Sequence, residues 1–589
     1  MRDRGWFWNM IDQITIENFK AIGARVTVPI KPITLLFGPN GAGKSSILHA
    51  LFYLREILER NNLDAGYTLT CGDRIDLGGF RNFVHARDLS RAVTISLRFQ
   101  YEAGSNHFDG YEVTTSKSTS DYYIGNCRPC TVTTSVSLPA NMDSPIATYT
   151  VSYDDEPMFT VTLHQPTRGV LRIDSFNCRH PLLPSIAGEG FHHDQLLAFY
   201  KKAYDAEEVA PGIVSFSWDG YGDFRATDFH VKTGDSELPT YNGMNHMQIF
   251  GTFFTFAIRA ARDLINQMIA VGPLRDSPPR GQIGSNRPSS DPARWYSGVG
   301  AWDYLLRGET WTPDVNPLTG VAATDEPDLD FDLVHHVSEA LKGTLDTGFS
   351  LLREEVRYYV ESTTEKTGNF LFSERLRSFA KQIGVLSPTE LQAAYQEDVL
   401  QQMGGLKSEK RLILHDHRAG IDVAPHDIGV GISQVLPVVT AALSSHPLVV
   451  IEQPELHIHP RMQVALGDVL LDGLKTEARR LESKYLKLFG SEFADNPELR
   501  NIFLSKLKTN GKQLIIETHS EHLVLRLLRR IREGAFSPED LAVVYVDPGD
   551  GEPGARSTKA LRLRVDADGE FRDRWPHGFF EERSPEVFG

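Results

Sequence analysis

The run Gly38-Pro39-Asn40-Gly41-Ala42-Gly43-Lys44-Ser45-Ser46 fits the spacing G-x-x-x-x-G-K-[ST], which suits a loop that wraps a chain of phosphates. Glycine lets the backbone turn its N–H groups inward toward phosphate oxygens, and a helix starting at the loop adds partial positive charge. Asn40, Gly41, Gly43 and Ser46 would line the phosphates, Lys44 would reach the β- and γ-phosphates, and Ser45 would offer its hydroxyl to Mg²⁺. A glycine-rich turn that binds nothing has no need of that lysine and serine together. The implied ligands are therefore ATP and Mg²⁺.

Three more constellations follow in chain order. Asp427-Ile428-Gly429-Val430-Gly431-Ile432-Ser433-Gln434 precedes a helix expected to begin near Val435. It offers a serine and glycine amides at a helix N-terminus, a second anion site without a lysine. One chain does not need two γ-phosphate cradles, but two chains facing head to tail do. The apolar run Leu448–Ile451 ends in Glu452-Gln453-Pro454-Glu455, so a strand delivers acids to a sheet edge, and Glu452 would orient Mg²⁺ through water. In Ile515-Ile516-Glu517-Thr518-His519-Ser520, His519 stands just past another buried strand, where it can hydrogen-bond the γ-phosphate or the attacking water.

These groups need strands and helices to hold them. Ile33–Phe37 reads as a buried strand entering the loop, and residues 45–59 read as the helix leaving it. Strands are also expected at Ile14–Lys20, Arg25–Val28, Leu448–Ile451, Gln513–Glu517 and Leu541–Val546. Alternating runs such as Val93–Phe99 and Ala147–Tyr153 make residues 92–240 a β-rich insertion. His246–Met268 reads as a long apolar helix, 276–330 as an extended loop, and Leu333–Lys342, Glu374–Gln402 and Gly467–Lys508 as helical. The expected organisation is an N-terminal lobe over 10–91, the insertion over 92–240, a helical and loop-rich middle over 241–410 and a C-terminal lobe over 411–589. Met1–Asn9 is expected to lie outside the fold.

With 41% hydrophobic and 23% charged residues among 589, the composition is that of a soluble, cytoplasmic, multidomain protein, and no apolar stretch reaches membrane-span length. Four cysteines argue against a disulfide framework. Cys127-Arg128-Pro129-Cys130 has metal-ligand spacing that Cys178 and His180 could complete, but one such pair in a β-rich stretch reads as chance. A net charge of −16 repels polyanions, so contact with DNA would need a local basic patch. Arg526, Arg529, Arg530 and Arg532 form one cluster and Arg479, Arg480, Lys484 and Lys487 another, and both read as solvated helix faces.

The segments Ile16-Glu17-Asn18-Phe19-Lys20, Gly38–Ser46, Gly429–Gln434, Val449–Pro460 and Ile515–His522 together resemble the ABC-type ATPases of the SMC, RecF and OLD group. The tail from Val565 to Phe580 resembles one bacterial branch of it. The likeness covers 11–90, Val271–Arg280 and 411–589 and leaves the middle unmatched. It implies an α/β P-loop ATPase head of mixed and parallel sheet with flanking helices, carrying a β-rich and helical insertion. It further implies a homodimer enclosing two ATP molecules, each held by one subunit's phosphate loop and by Ser433 and Gly431 of the other, with Gly429 and Gln434 beside them. By the same likeness His519 is a switch histidine and Lys20 lies near the nucleotide. Arg275 and Arg280 serve either the site or the core.

Two departures from the family pattern stand out. Where most relatives place a water-polarising glutamate this chain has Gln453, which can orient water but cannot take its proton, so either Glu455 acts instead or hydrolysis is slow. Residues 60–90 also contain no lid glutamine, and Asp76–Phe80 stands in that region. The nuclease-bearing relatives carry a TOPRIM domain, for which the stretch after His519 is too short. Asp566-Ala567-Asp568 reads as a hairpin turn. The expectation is an ATP-hydrolysing dimeric switch in DNA surveillance or antiphage defence, with a separate effector protein, possible DNA binding, larger assemblies allowed and no membrane. The alternatives are a scaffold with little turnover, kept open by Gln453, or a self-contained nuclease with acids such as Glu354 and Glu355 and ligands such as His335 and His336.

Overall fold

The computed structural model describes residues 10–101, 128–163, 170–184, 191–219, 240–241, 244–245, 249–278, 291–307, 333–357, 408–489, 511–549 and 556–576. Strands buried along nearly their whole length need cover on both faces, and five of the six strands of the central sheet are of this kind. Its order is Met268–Val271, Leu448–Glu452, Gln513–Glu517, Ile33–Phe37, Leu541–Asp547 and Lys559–Leu563. The first five strands run parallel and the last is antiparallel. Alternation divides the side chains between two cores. Leu36, Leu448, Val450 and Ile515 pack on one side, while Leu35, Phe37, Val449, Ile451 and Ile516 pack on the other.

A second sheet of nine antiparallel strands runs Glu207–Ala210, Ile213–Asp219, Val170–Asn177, Glu156–Leu163, Ile146–Tyr153, Arg128–Ser137, Val93–Tyr101, Ile11–Glu17 and Val26–Pro29. The β-rich stretch after residue 92 thus extends the sheet begun by the first two strands of the chain. The Gln513 side chain joins the two sheets, accepting from Ile11 N at 3.0 Å and donating to Ile11 O at 2.7 Å. A small third sheet pairs Phe349–Arg357 with Ser408–Asp416 and Ile421–Val423. Mixed sheets flanked by helices make this an α/β P-loop ATPase fold.

The helix expected from Gly467 already begins at Pro460, and two further differences from the sequence reading bear on the site. The helix expected over His246–Met268 is a π-helical turn at Gly251–Thr255 followed by an α-helix at Phe256–Asn266, and Met268–Val271 is instead the edge strand of the central sheet. That four-residue apolar run satisfies its backbone against Leu448–Ile451 and stops at Gly272-Pro273. The helix expected from Val435 spans Val430–Leu443, so Gly431 and Ser433 lie inside its first turns rather than before it. Ser433 secures that turn by donating its hydroxyl to Val430 O at 2.9 Å. Residues 246–248, most of 276–330, Glu374–Gln402, Met1–Asn9, Cys127, Arg280 and the tail beyond Pro576 lie outside the described residues.

Candidate functional site

The carboxyl ends of the parallel strands form the site, the usual place for a ligand in such a sheet. Ile33–Phe37 delivers the phosphate loop, and the helix Lys44–Arg60 begins at its end. Gly38 has φ +147°, and a Cβ there would stand 2.2 Å from Val546 O. Gly43 has φ +103°, and a Cβ would stand 2.4 Å from the Thr558 hydroxyl. Only glycine meets both demands. Gly41, at φ +74°, faces open space, and Asn40 is exposed beside it.

Lys44 is buried and donates to Gly38 O at 3.0 Å and Pro39 O at 2.9 Å. Burial lowers its pKa, while Glu517 and Glu455 raise it. The Ser45 hydroxyl donates to Glu517 Oε2 at 2.9 Å. Glu517 ends the strand next to the phosphate-loop strand, in register with Leu36 on one side and with Glu452 on the other. Burial raises its pKa, against the pull of Ser45 and Lys44. Glu452, one strand further out, is buried and accepts from Tyr296 Oη at 2.9 Å. Burial and then the neighbouring Glu517 push it up to about 8.

Glu455 clamps the next segment, with Oε2 accepting from Thr518 Oγ1 at 2.8 Å and Oε1 from His519 N at 2.7 Å. Both of its oxygens are thus engaged in holding His519. The His519 ring carries a buried Nε2 with no hydrogen-bond partner. Burial and then the Lys44 charge lower its pKa to about 4, so the ring is neutral at pH 7. Gln453 sits in the left-handed region at φ 45°, and its N–H donates to Glu517 O at 2.8 Å.

Arg275 fastens these pieces together. Its guanidinium donates to Glu452 O at 2.7 Å, Gln453 O at 3.1 Å and Gln434 O at 3.2 Å, while the Gln434 side chain pairs with its backbone N and O. Lys20, held at φ 49°, directs Nζ at His49 Nδ1, 2.7 Å away on the helix that leaves the phosphate loop. Burial lowers Lys20 to about 8.

The structure thus brings together the phosphate loop, Lys20, Glu452, Gln453, Glu455 and His519. No hydrogen bond among the described residues joins Gly429, Gly431 or Ser433 to residues 38–46. Gly429 and Val430 are exposed at the start of their helix. Glu517, Tyr296 and His49 were missed as site residues. Glu517 carried the same signal as Glu452, an acid ending a buried apolar strand, whereas Tyr296 lies in a stretch read as loop and gave none.

An orphaned histidine nitrogen, an ammonium satisfied only by its own loop's carbonyls, and a glycine facing open space all fit a triphosphate in the cradle. Among the described residues no group of three or more His, Cys, Asp or Glu could hold a metal by itself. Mg²⁺ fits that arrangement, because it usually keeps waters and takes phosphate oxygens as ligands.

Other sequence readings resolve as well. His180 is satisfied by the chain itself, with Nε2 against Glu156 O and Nδ1 accepting from Leu182 N, and Cys130 and Cys178 are buried free thiols. Glu354 pairs with Arg411 at 2.9 Å. Arg526 and Arg530 share Asp468, Arg529 pairs with Glu533 and Arg532 with Glu570, so three acids offset most of the charge of the four arginines. Asp566 to Gly569 forms the expected turn, closed by Gly569 N donating to Asp566 O at 3.1 Å. No helix among the described residues is long and apolar enough to cross a membrane.

Comparison with known proteins finds ATPase family models and relatives. Residues 10–127 match the family model "AAA ATPase domain", and residues 285–526 match "AAA domain, putative AbiEii toxin, Type IV TA system". The chain is 32% identical over 100 residues to the DNA replication and repair protein RecF of Chlorobium phaeobacteroides (strain BS1), covering 16% of this chain and 24% of that protein. It is 44% identical over 43 residues to RecF of Prosthecochloris aestuarii (strain DSM 271 / SK 413), covering 7% and 12%. The matches thus span a quarter or less of these relatives' length. Among solved structures, it is similar to an SmcHead bound to the C-winged helix domain of ScpA, with TM-score 0.33 and 9% identity over 95% of this chain and 98% of that one. The SMC head domain from Thermotoga maritima gives TM-score 0.30 and 9% identity over 94% and 99%. Together with a phosphate loop and strand-end acids on one sheet edge, the two AAA ATPase family-model matches and the likeness to RecF support an ATPase family of SMC/RecF type.

Proposed function

We propose that this chain hydrolyses ATP slowly and uses the nucleotide to close a homodimer that acts as a switch. The observation that carries the reading is the convergence of Lys44, Ser45, Glu452, Glu517 and an unpartnered His519 Nε2 at one end of the central sheet. Lys44 and the loop amides hold the phosphates, and His519 donates or accepts at the γ-phosphate. Mg²⁺, held from Ser45 and the acids, supplies charge neutralisation when bound. The exposed start of the helix Val430–Leu443, with Gly429 and Gly431, supports closure against a second copy, and the exposed Leu274 and Val430 beside it would be covered there.

Slow turnover follows from the acids. Gln453 cannot accept a proton, and Glu455 is fully engaged with Thr518 and His519. The RecF likeness supports a role in DNA surveillance, and the AbiEii-related family model is compatible with antiphage defence. The ion-paired arginine face and the net charge of −16 favour a separate effector protein over tight duplex binding by this chain. Turnover measured with Mg²⁺, alone and with duplex DNA, tests this reading. A slow rate that rises with DNA supports the switch. A rate pinned at the level of a Lys44→Ala control under every condition favours a scaffold that only binds ATP.

A further inference from the structure

We propose that Glu517 is the carboxylate that works with Ser45 at the metal, a task that chain order alone assigns to Glu452. This rests on the ATP reading above. In P-loop ATPases the loop's serine or threonine and an acid on a nearby strand hold Mg²⁺ between them. A hydroxyl that gives its proton to a carboxylate turns its lone pairs toward a cation. Here the Ser45 proton goes to Glu517 at 2.9 Å. The strand ending in Glu517 lies directly against the phosphate-loop strand, whereas the strand ending in Glu452 is one place further away.

The other acids at this edge hold protein donors rather than the loop serine. Glu452 Oε1 is taken by the Tyr296 hydroxyl, and Arg275 holds its backbone carbonyl. Both oxygens of Glu455 hold the segment Thr518–His519. Gln453, at the end of the same strand as Glu452, carries no charge. Glu517 therefore combines charge with a direct contact to the loop serine. Its backbone carbonyl oxygen also accepts from Gln453 N at 2.8 Å, which ties the end of its strand to the turn after Glu452.

Equilibrium binding of a fluorescent ATP analogue to the full chain, in EDTA and in Mg²⁺, tests this. Mg²⁺ should tighten binding to the unaltered protein. In Glu517→Gln that gain should fall by about 10–100-fold, the usual loss when a carboxylate supporting a metal site is removed, while affinity in EDTA does not fall, because a negative charge beside the phosphates is gone. Ser45→Ala should lose the same gain, and the double variant should lose no more than either alone. Glu517→Asp, which keeps the charge, should recover part of it and guards against misfolding. Retention of the full Mg²⁺ gain by Glu517→Gln, or additive losses with Ser45→Ala, would overturn the assignment. If the unaltered chain binds no analogue in either condition, it is the ATP reading that fails.

Discussion

Replacing Arg275 with alanine should loosen the acid-bearing turn and the helix Val430–Leu443 together. Its guanidinium donates to three carbonyl oxygens, on Glu452, Gln453 and Gln434, and Gln453 O also accepts from Leu456 N at 3.2 Å. A hydrogen bond from a charged donor contributes at least about 1 kcal/mol, so loss of the three together costs about 3 kcal/mol. The group is almost wholly buried and its pKa falls only to about 10, so it is charged at neutral pH and solvent screening does not reduce that figure. Gln453 is held at φ 45°, which costs a side-chain-bearing residue about 1–2 kcal/mol. The clamp outweighs that strain, and without it Gln453 should relax to ordinary backbone geometry. Pulse proteolysis in urea should show Arg275→Ala destabilised by about 3 kcal/mol and Arg275→Lys by roughly half as much, because one ammonium cannot span three acceptors. ATP turnover should fall more than ten-fold in the alanine variant. A loss below about 1 kcal/mol with unchanged turnover would refute the clamp.

Three further outcomes are expected. Gln453→Glu should raise steady-state ATP turnover by ten-fold or more, because general bases contribute about 10²–10⁴; an unchanged rate would show that Gln453 is not limiting. Glu455→Gln, which can satisfy only one of its two donors, should cost about 1–2 kcal/mol in urea denaturation and slow turnover through the loss of His519 positioning. His519 and His49, depressed to about 4 and about 3 chiefly by burial, stay neutral in the fold while the unfolded chain takes up protons from about 6.5. Their share of stability is therefore complete above pH 6.5 and is lost progressively as pH falls toward 4 and then 3. His519→Asn should flatten that slope in denaturation curves measured from pH 7 to pH 4.

Four strands of the central sheet were legible because they are short, mostly apolar runs that lead into glycine or an acid, a pattern suited to a covered sheet. The phosphate loop was legible because each residue in it answers a separate physical demand. What the sequence hid was non-local. Ser45 and Glu517 meet only because the strand Gln513–Glu517 inserts between the phosphate-loop strand and the Glu452 strand, and that order cannot be read from spacing. The start of the helix at Val430 was hidden for a different reason. Gly429 and Gly431 are poor helix formers, and the tertiary pairing of Gln434 with Arg275 outweighs that propensity. Met268–Val271 is too short to tell strand from helix end until its partner strand is known.

ATP binding and turnover by the unaltered chain beside Lys44→Ala, in the presence of Mg²⁺, test the account most directly. The account predicts measurable binding and slow release of phosphate in the unaltered protein, with both lost in the variant. Binding or turnover of equal size in the two proteins would contradict it.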